Sequence, residues 1–274
     1  DLGHKGSSPY RPNERSFGNS SRYRAAVAVD RFAPGPERIR PILKHLAKTY
    51  PEARIALDYQ TPLECVVAVI LSAQSTDARV NIVTKDLFQK YRRPEDYLAV
   101  EEEELQRDIQ STGFFRQKTR ALRGMCQKLI DDFDGEVPKT IAELITLPGV
   151  ARKTANVVQL NLFPEVAAKD PDAGIAVDTH VGRVAVRLAL TEWDSKEAVK
   201  IEQDLMNVVP KKERLRVTDL FIEHGRQICD AKQPRCEDCP IESLCPSSQV
   251  AGLPDLYRKA PKSAPVRKKA KTAR

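Results

Sequence analysis

Lys153 and Asp178 have the side-chain types needed to attack a carbon atom and to assist that attack. Lys153 lies in the first turn of a predicted helix, whose positive end favours the nucleophilic amine over the ammonium. Asp178 heads another predicted helix as its N-cap, and a carboxylate there can also stabilise a positively charged intermediate. The same carboxylate favours the ammonium, so the two influences on Lys153 oppose each other. The residues are 25 positions apart, and an exposed lysine with a capping aspartate is the alternative.

The stretch 140–163 must position Lys153, and its pattern predicts two short helices joined by a tight turn. Thr140 is the predicted N-cap of the first helix. A Pro-Gly pair ends that helix, because proline cannot continue it and Gly149 accepts turn conformations. The second helix carries Arg152 beside Lys153. Free backbone N–H groups at a helix start bind phosphate, so the stretch predicts an anion-binding hairpin, with two simply packed helices as the alternative.

Four of the six cysteines fall in one window of seventeen residues with the spacing C-x6-C-x2-C-x5-C: Cys229, Cys236, Cys239 and Cys245. Disulfides are disfavoured because only one end of the chain is rich in cysteine. Four thiolates this close indicate a metal site. The spacing contains one short C-x2-C pair where structural zinc usually has two, so it favours a 4Fe–4S cluster and leaves zinc as the alternative. Cys65 and Cys126 lie on apolar helix faces and are predicted to be buried.

The positive charge of the chain lies mostly at its two ends. The 274 residues carry a net charge of +7, with eight Lys/Arg and no acid from Tyr257 onward. Residues 1–40 hold eight basic and four acidic residues, so the middle of the chain is net negative. Basic ends support salt-sensitive binding to nucleic acid, with a solubilising tail as the alternative. Between the first two cysteines of the window, Lys232 and Arg235 can contact a phosphate backbone or remain solvated.

Helical periodicity runs through most of the chain. It predicts helices over 36–50, 63–71, 101–109, 122–133, 196–208 and 212–229, and a further helix that carries Val80, Val83, Leu87 and Phe88. It also predicts deep burial for the almost wholly apolar 63–71. Residues 1–35 lack apolar periodicity and are predicted to be disordered. No convincing strand pattern occurs, so we predict an all-α fold. No apolar run reaches the ~20 residues of a membrane span and no secretory signal precedes the fold, which predicts no membrane partner and, in a prokaryote, a cytoplasmic protein.

Four motifs together resemble one known family. L-P-G-V-A-R-K-T-A-N-V-V begins at Leu147, V-D-T-H at Val177 and L-S-A-Q-S-T-D at Leu71, and the cysteine window follows. The first two motifs and the cysteine window, in that order, closely resemble the endonuclease III family of DNA glycosylase/AP lyases, and L-S-A-Q-S-T-D also matches that family. The resemblance covers about residues 38–246, most of the predicted folded chain.

The resemblance implies two helical domains with a DNA cleft between them. One is a six-helix barrel over 56–164 that contains a helix-hairpin-helix motif at about 140–163. The other joins 36–55 to 165–248 and holds one 4Fe–4S cluster on the four cysteines of the window. Residues 249–274 form a basic C-terminal tail beyond the family's fold.

The resemblance also implies roles for single residues. Lys153 is the implied nucleophile and Asp178 the implied catalytic carboxylate. Gln74 matches the position that fills the gap left by a flipped nucleotide, Phe114 the position of an apolar wedge, and Asp77 a pocket position. Further DNA contacts are implied for Leu147, Gly149, Ala151, Arg152, Lys232 and Arg235. Ala151 departs from the usual second glycine of the hairpin, and the loop 164–174 is longer than usual.

The implied function is base-excision repair of DNA. A bifunctional glycosylase/AP lyase would remove oxidised pyrimidines and nick the strand by β-elimination through a Schiff base on Lys153. Its partner would be double-stranded DNA with oxidised pyrimidines or abasic sites, bound by a monomer. Two alternatives are a non-catalytic DNA-damage binder with the same hairpin and a monofunctional adenine glycosylase of the same superfamily, which lacks the lysine and carries an extra C-terminal domain.

Overall fold

The computed structural model of the protein describes residues 29–258, and within them the chain forms twelve α-helices and no β-strand. The all-α prediction is therefore confirmed. None of these helices is long and apolar enough to cross a membrane. In chain order they are α1 Gly35–Thr49, α2 Pro62–Leu71, α3 Asp77–Lys90, α4 Pro94–Ala99, α5 Glu102–Ile109, α6 Phe115–Phe133, α7 Ile141–Leu144, α8 Arg152–Leu162, α9 Pro164–Ala167, α10 Thr179–Arg187, α11 Ala198–Val208 and α12 Arg214–Gln227.

The helices bury two separate hydrophobic cores. The first core is built by α2 to α8, with buried side chains from Leu57 to Val158. The second is built by α1, α10, α11 and α12 together with Ile241 and Leu244 of the cysteine window. α1 contacts α11 and α12, so the start of the fold packs with its end. α8 of the first core contacts α12 of the second. The limits 56, 164 and 248 of the two predicted domains stay predictions.

Side-chain caps fix where the helices around the site begin. Thr61 and Thr140 each accept the N–H of the glutamate three residues on, and that glutamate accepts the threonine N–H in return. Thr76 caps α3 and Asp178 caps α10. Each such cap stabilises a helix start by ~1 kcal/mol. α2 is buried along nearly its whole length, as its apolar sequence predicted.

Two helices are missing from the sequence-based prediction. α4 has six residues and α9 has four, which is too short to show a helical period. Each begins at a proline, which suits the first helical turn because its missing N–H would have no partner there. α9 lies inside 164–174, so the segment that the sequence presented as a long loop is partly helical.

The described parts of both chain ends pack against the fold. Residues 1–28 and 259–274, which make up most of the two predicted tails, lie outside the described residues. Val29 packs against the second core, and Arg31 forms an ion pair with Glu242 at 3.4 Å. At the other end, Asp255 forms an ion pair with Arg187 at 2.9 Å. The segments 29–34 and 249–258 therefore differ from the tails predicted there, because each is held by a long-range contact that has no local sequence signal.

Candidate active site and nucleic-acid interface

A cleft with about 780 Å³ of space free of protein atoms brings the two candidate reactive residues together. Its walls come from both cores, through α2 and α8 on one side and α12 on the other. Lys153 and Asp178 both line it. The cleft thus brings together two residues whose proximity the sequence could only suggest. Their catalytic roles stay predictions.

Lys153 is exposed and lines this cleft. It is the second residue of α8, which follows Ala151, and no side chain caps that helix start. Within residues 29–258 its side-chain nitrogen makes no hydrogen bond or ion pair. The amine is therefore available to a ligand, next to backbone N–H groups that face the same end of the helix.

Asp178 is held in place by one of its two carboxylate oxygens. Oδ1 accepts the backbone N–H groups of His180 and Val181, both at 2.8 Å, and so caps α10. The capping role that the sequence predicted is present. Oδ2 makes no hydrogen bond to the described part of the chain, and the side chain lines the cleft. One oxygen thus fixes the orientation of the carboxylate, and the other can face a ligand.

The hairpin before Lys153 has the predicted turn at Gly149. Its φ is +82°, and a Cβ built there would lie 2.9 Å from the Cβ of Ala121. A side chain is therefore excluded by both backbone conformation and space. Ala151, where a second glycine was expected, has φ −84°, which any residue adopts, and α8 still begins at Arg152. Leu147 is 2% exposed and packs in the first core, and the DNA contact implied for it stays a prediction.

Arg152 is engaged inside the protein, which the sequence did not predict. Its guanidinium forms an ion pair with the buried Glu202 at 3.0 Å and donates to the backbone oxygen of Asp172 at 3.2 Å. A direct phosphate contact by Arg152, as implied by the resemblance, would compete with this pair. Glu202 also accepts a hydrogen bond from Asn156 at 2.9 Å, and Asn156 accepts the N–H of Gly174 at 3.0 Å.

This network ties the segment that carries Asp178 to the helix that carries Lys153. Gly174 is required in it, because a Cβ there would lie 1.7 Å from a Glu202 oxygen. A second tie comes from the buried Asp170, which accepts from Ile141 N at 2.9 Å and from Gln159 Nε2 at 2.5 Å. The relative position of the two cleft residues is therefore set by buried polar contacts within the described fold.

Gln74 and Phe114 are both presented to solvent in left-handed backbone conformations. Their φ values are +54° and +48°, and the Phe114 ring is 60% exposed. Non-glycine residues in this region often mark functional sites. Lys118 is buried nearby and donates to the backbone oxygens of Leu71 at 2.7 Å and Thr112 at 2.8 Å. It therefore joins the end of α2, which precedes Gln74, to the turn that precedes Phe114.

Three other acidic side chains, Asp77, Asp219 and Glu223, line the cleft with Asp178. Asp77, predicted as a pocket residue, lines it and forms an ion pair with Arg226 at 2.8 Å. Asp219 of α12 also lines it, and burial raises the pKa of this carboxyl to about 7. Sequence reasoning missed Asp219. The available signal was a single acid that stands directly before the apolar run L-F-I on α12.

The four window cysteines surround one cavity of about 420 Å³, together with His224 and Arg187. Arg187 donates to the Cys229 sulfur at 3.2 Å, and His224 Nε2 lies 3.7 Å from the Cys239 sulfur. Burial raises the pKa of the Cys239 thiol to about 12, so thiolates here need a nearby positive charge. Four sulfurs, a buried cation and an imidazole around one apolar cavity fit an iron–sulfur cluster with its hydrogen-bonding surroundings. No group of three ligand side chains suited to a single metal ion is found within residues 29–258.

Cys65, Cys126, Lys232 and Arg235 also lie outside the residues that line the cleft. Cys65 and Cys126 are buried in the first core as predicted, and burial raises the pKa of both thiols to about 12. Lys232 and Arg235 are exposed on the loop between the first two window cysteines. Arg235 donates to the Gln227 oxygen at 2.5 Å and lies 3.6 Å from an Asp238 carboxylate oxygen. The exposed loop remains a candidate surface for phosphate.

The chain matches known DNA-repair proteins in sequence and in structure. The family model of the HhH-GPD superfamily base excision DNA repair protein matches residues 67–211. Endonuclease III of Bacillus subtilis is 46% identical over 223 residues, which cover 81% of this chain and 98% of the relative. Endonuclease III of Synechocystis sp. is 45% identical over 221 residues, which cover 81% of this chain and 97% of the relative.

The structural match agrees with the sequence matches. A solved structure of a trapped endonuclease III–DNA covalent intermediate superposes with a TM-score of 0.72 at 45% identity, over 79% of this chain and 98% of that one. These matches do not favour a pure DNA binder or an adenine glycosylase. The family model spans the hairpin, Lys153 and Asp178, and the relatives extend over nearly their whole length. This chain therefore belongs to the endonuclease III family of base-excision DNA glycosylase/AP lyases.

Proposed function

We propose that the protein performs the glycosylase and AP lyase reactions of its family with Lys153 as the nucleophile and Asp178 as the assisting carboxylate. The observation that carries this assignment is the shared cleft: an exposed lysine without a protein partner and a carboxylate with one free oxygen line the same walls. Both residues begin helices, so their backbones are rigid. The cleft opens beside an uncapped helix start that suits phosphate.

Duplex DNA is the substrate that this surface suits. The turn at Gly149 and the start of α8 would contact the phosphates on one side of the damaged nucleotide. A base within the duplex cannot reach Lys153, so it must be turned out into the cleft at a cost of roughly a few kcal/mol. Gln74 and the exposed Phe114 ring would occupy the space that the base leaves, as apolar wedges do in other DNA-bending proteins. Lys232 and Arg235 would add contacts to the phosphate backbone.

The chemistry begins at C1′ of the deoxyribose. The Lys153 amine bonds to C1′ while the glycosidic bond breaks, and the base leaves with the bonding electron pair and takes up a proton. Asp178 stabilises the positive charge that develops on the sugar. Opening of the sugar ring gives a Schiff base between Lys153 and C1′. Loss of a C2′ proton then expels the 3′ phosphate, and water releases the lysine from the cleaved strand.

Oxidised pyrimidines are the proposed lesions, and abasic sites enter the same path after base loss. The support is the family likeness, together with a cleft that has both apolar and polar walls. We further propose that the protein acts as a monomer. Size-exclusion chromatography with light scattering at micromolar concentration should give a mass near 30.7 kDa.

The four window cysteines would hold one 4Fe–4S cluster. When bound, this group would crosslink the loop 229–245 and supply no reacting atom to the sugar chemistry. The support is the single thiol-lined cavity and the Arg187 donor at its edge. A broad absorbance band near the boundary of the visible and ultraviolet ranges, with four iron atoms per chain by metal analysis, is expected. A colourless protein that contains zinc would contradict the cluster.

Borohydride trapping tests the assignment of Lys153. A duplex with one thymine glycol or one abasic site should form a covalent adduct with the wild-type protein in the presence of chelator, because the lysine chemistry needs no divalent ion. Lys153→Ala should form none. Lys128→Ala, a surface lysine of α6 paired with Asp132, is the matched control and should trap normally. Equal trapping by Lys153→Ala would remove the assignment, and strand nicking by the wild type excludes a pure binder.

A further inference from the structure

Asp219 is the cleft carboxyl to which the mechanism above gives no role. It lies in the middle of α12 and lines the same walls as Lys153 and Asp178. Within residues 29–258 it has no hydrogen bond and no ion pair. Its neighbours along α12, Thr218 and Leu220, are buried. A partly buried carboxyl without a partner is costly unless a ligand provides one.

The other charged groups of the cleft do not neutralise Asp219. Arg226 is paired with Asp77 at 2.8 Å, and Glu223 of the next turn accepts a hydrogen bond from Gln227. Arg54, Lys153 and Asp178 complete the charged side chains of the walls. On the side of the first core, the pKa of Tyr59 is raised to about 12. Burial is the largest cause, followed by Cys65 and then by the charge of Asp219. Tyr59 and Cys65 are therefore neutral at neutral pH, and burial raises the pKa of Asp219 to about 7, so that this carboxyl is mostly protonated below that pH.

We propose that Asp219 recognises the turned-out base as a neutral carboxylic acid. Its O–H donates to a carbonyl oxygen of the base, and its carbonyl oxygen accepts the adjacent ring N–H. This inference rests on the proposed function and names the chemical feature of the lesion that the site reads: a ring amide in which a C=O stands beside an N–H. Oxidised pyrimidines that keep such an amide present both groups. If Asp219 were ionised, its carboxylate oxygen and the base carbonyl oxygen would both be acceptors and would repel each other.

Asp219 and Asp178 differ in the hydrogen bonds that their carboxyl oxygens make. Asp178 has one oxygen committed to two backbone N–H groups. Asp219 has neither oxygen committed to the described part of the chain. The two carboxyls therefore differ in their hydrogen bonds and can divide the work, with Asp178 at the sugar and Asp219 at the base.

Two substrates distinguish base recognition from the sugar chemistry. Asp219→Ala should lower kcat/KM by ~10- to 100-fold on a duplex with thymine glycol, the loss expected for two hydrogen bonds to a buried group. The same variant should change the rate on a preformed abasic site by less than about 2-fold, because no base is present there. Asp219→Asn keeps one donor and one acceptor and should retain most activity on the damaged base. Asp132→Asn, an exposed acid of α6 that does not line the cleft, is the matched control and should leave both rates near wild type.

A pH series adds a second readout. The wild-type ratio of thymine glycol activity to abasic-site activity should fall above about pH 7, approaching tenfold per pH unit as the carboxyl ionises. Asp219→Asn should remove that fall. Equal loss on both substrates with Asp219→Ala, or an unchanged rate on thymine glycol, would overturn the inference. An inactive wild type on both substrates would instead refute the proposed function, and thermal melts of each variant exclude unfolding as the cause.

Discussion

Asp178 combines an observed structural role, the cap of α10, with the chemical role that we propose for it. Its Oδ1 caps α10 through two N–H groups, and the cleft receives the remaining oxygen. Structure and chemistry can therefore be separated by two substitutions at the same position. Asparagine keeps a capping oxygen but loses the charge, whereas alanine loses both.

We predict that the free energy of unfolding of Asp178→Asn lies within ~0.5 kcal/mol of the wild-type value, because the capping oxygen is kept. The variant should excise thymine glycol at least ~100-fold more slowly, because the proposed assisting charge is gone. Asp178→Ala should lose similar activity and a further ~1 kcal/mol of stability through the missing cap. Urea unfolding and single-turnover excision measure the two effects. Wild-type activity in Asp178→Asn would show that the carboxylate only caps the helix.

Gly149 is the second residue-scale prediction, because its φ of +82° and the Ala121 contact act together. Gly149→Ala should destabilise the protein by ~2–4 kcal/mol and weaken duplex binding through a displaced hairpin. Gly135→Ala is the matched control: its φ is +80°, but a Cβ there meets nothing within 4 Å, so it should cost only the ~1–2 kcal/mol of backbone strain. Equal losses for the two variants would show that the Ala121 contact does not matter.

At the scale of elements, the two exposed residues beside the cleft depend on one buried lysine. Lys118 Nζ donates to the backbone oxygen of Leu71, the last residue of α2, and to that of Thr112 in the turn before α6. Gln74 follows shortly after Leu71, and Phe114 shortly after Thr112. The two loops are distant in sequence but share this donor. Their left-handed backbone conformations therefore persist together.

We predict that Lys118→Met destabilises the protein by ~2–4 kcal/mol, because two buried carbonyls lose their donor. It should also slow excision of a base from duplex DNA more than cleavage at an abasic site, which needs less unstacking. Lys128→Met, on the exposed face of the same helix, should leave both properties near wild type. A stable Lys118→Met variant with normal excision would show that Gln74 and Phe114 hold their positions without it.

At the scale of the whole molecule, the C-terminal segment closes over the cysteine window. Arg187 contacts the Cys229 sulfur on one side and Asp255 on the other, and both partners of the ion pair are less than 10% exposed. The Tyr257 ring lies 5.2 Å from the guanidinium. Residues beyond the window thus hold the cation that faces the thiols.

Asp255→Ala should therefore leave Arg187 as an unpaired buried charge and cost ~3–5 kcal/mol. We expect a lower melting temperature and faster loss of cluster absorbance in air. Arg258→Ala removes only the exposed partner of Asp255 at 3.7 Å and should change stability by less than ~1 kcal/mol. Unchanged absorbance decay in Asp255→Ala would show that the segment plays no part in retaining the cluster.

The sequence alone determined the parts of this protein that depend on neighbouring residues. Helical periodicity and caps such as Thr140 and Asp178 predicted the all-α fold, and the Pro-Gly pair predicted the hairpin that presents Lys153. The spacing of four cysteines predicted one metal-binding loop. These signals are local, since a cap, a turn or a run of ligands is decided within a few residues.

Tertiary structure alone decided which side chains line the cleft and how deeply each is buried or paired with another charge. Lys153, Asp178 and Asp219 meet there because α8, α10 and α12 pack across the boundary of two cores. Packing also paired Arg152 with Glu202, fifty residues away, and buried the Leu147 side chain. The physical reason is that burial and charge pairing depend on distances between remote segments, and no local pattern encodes these distances.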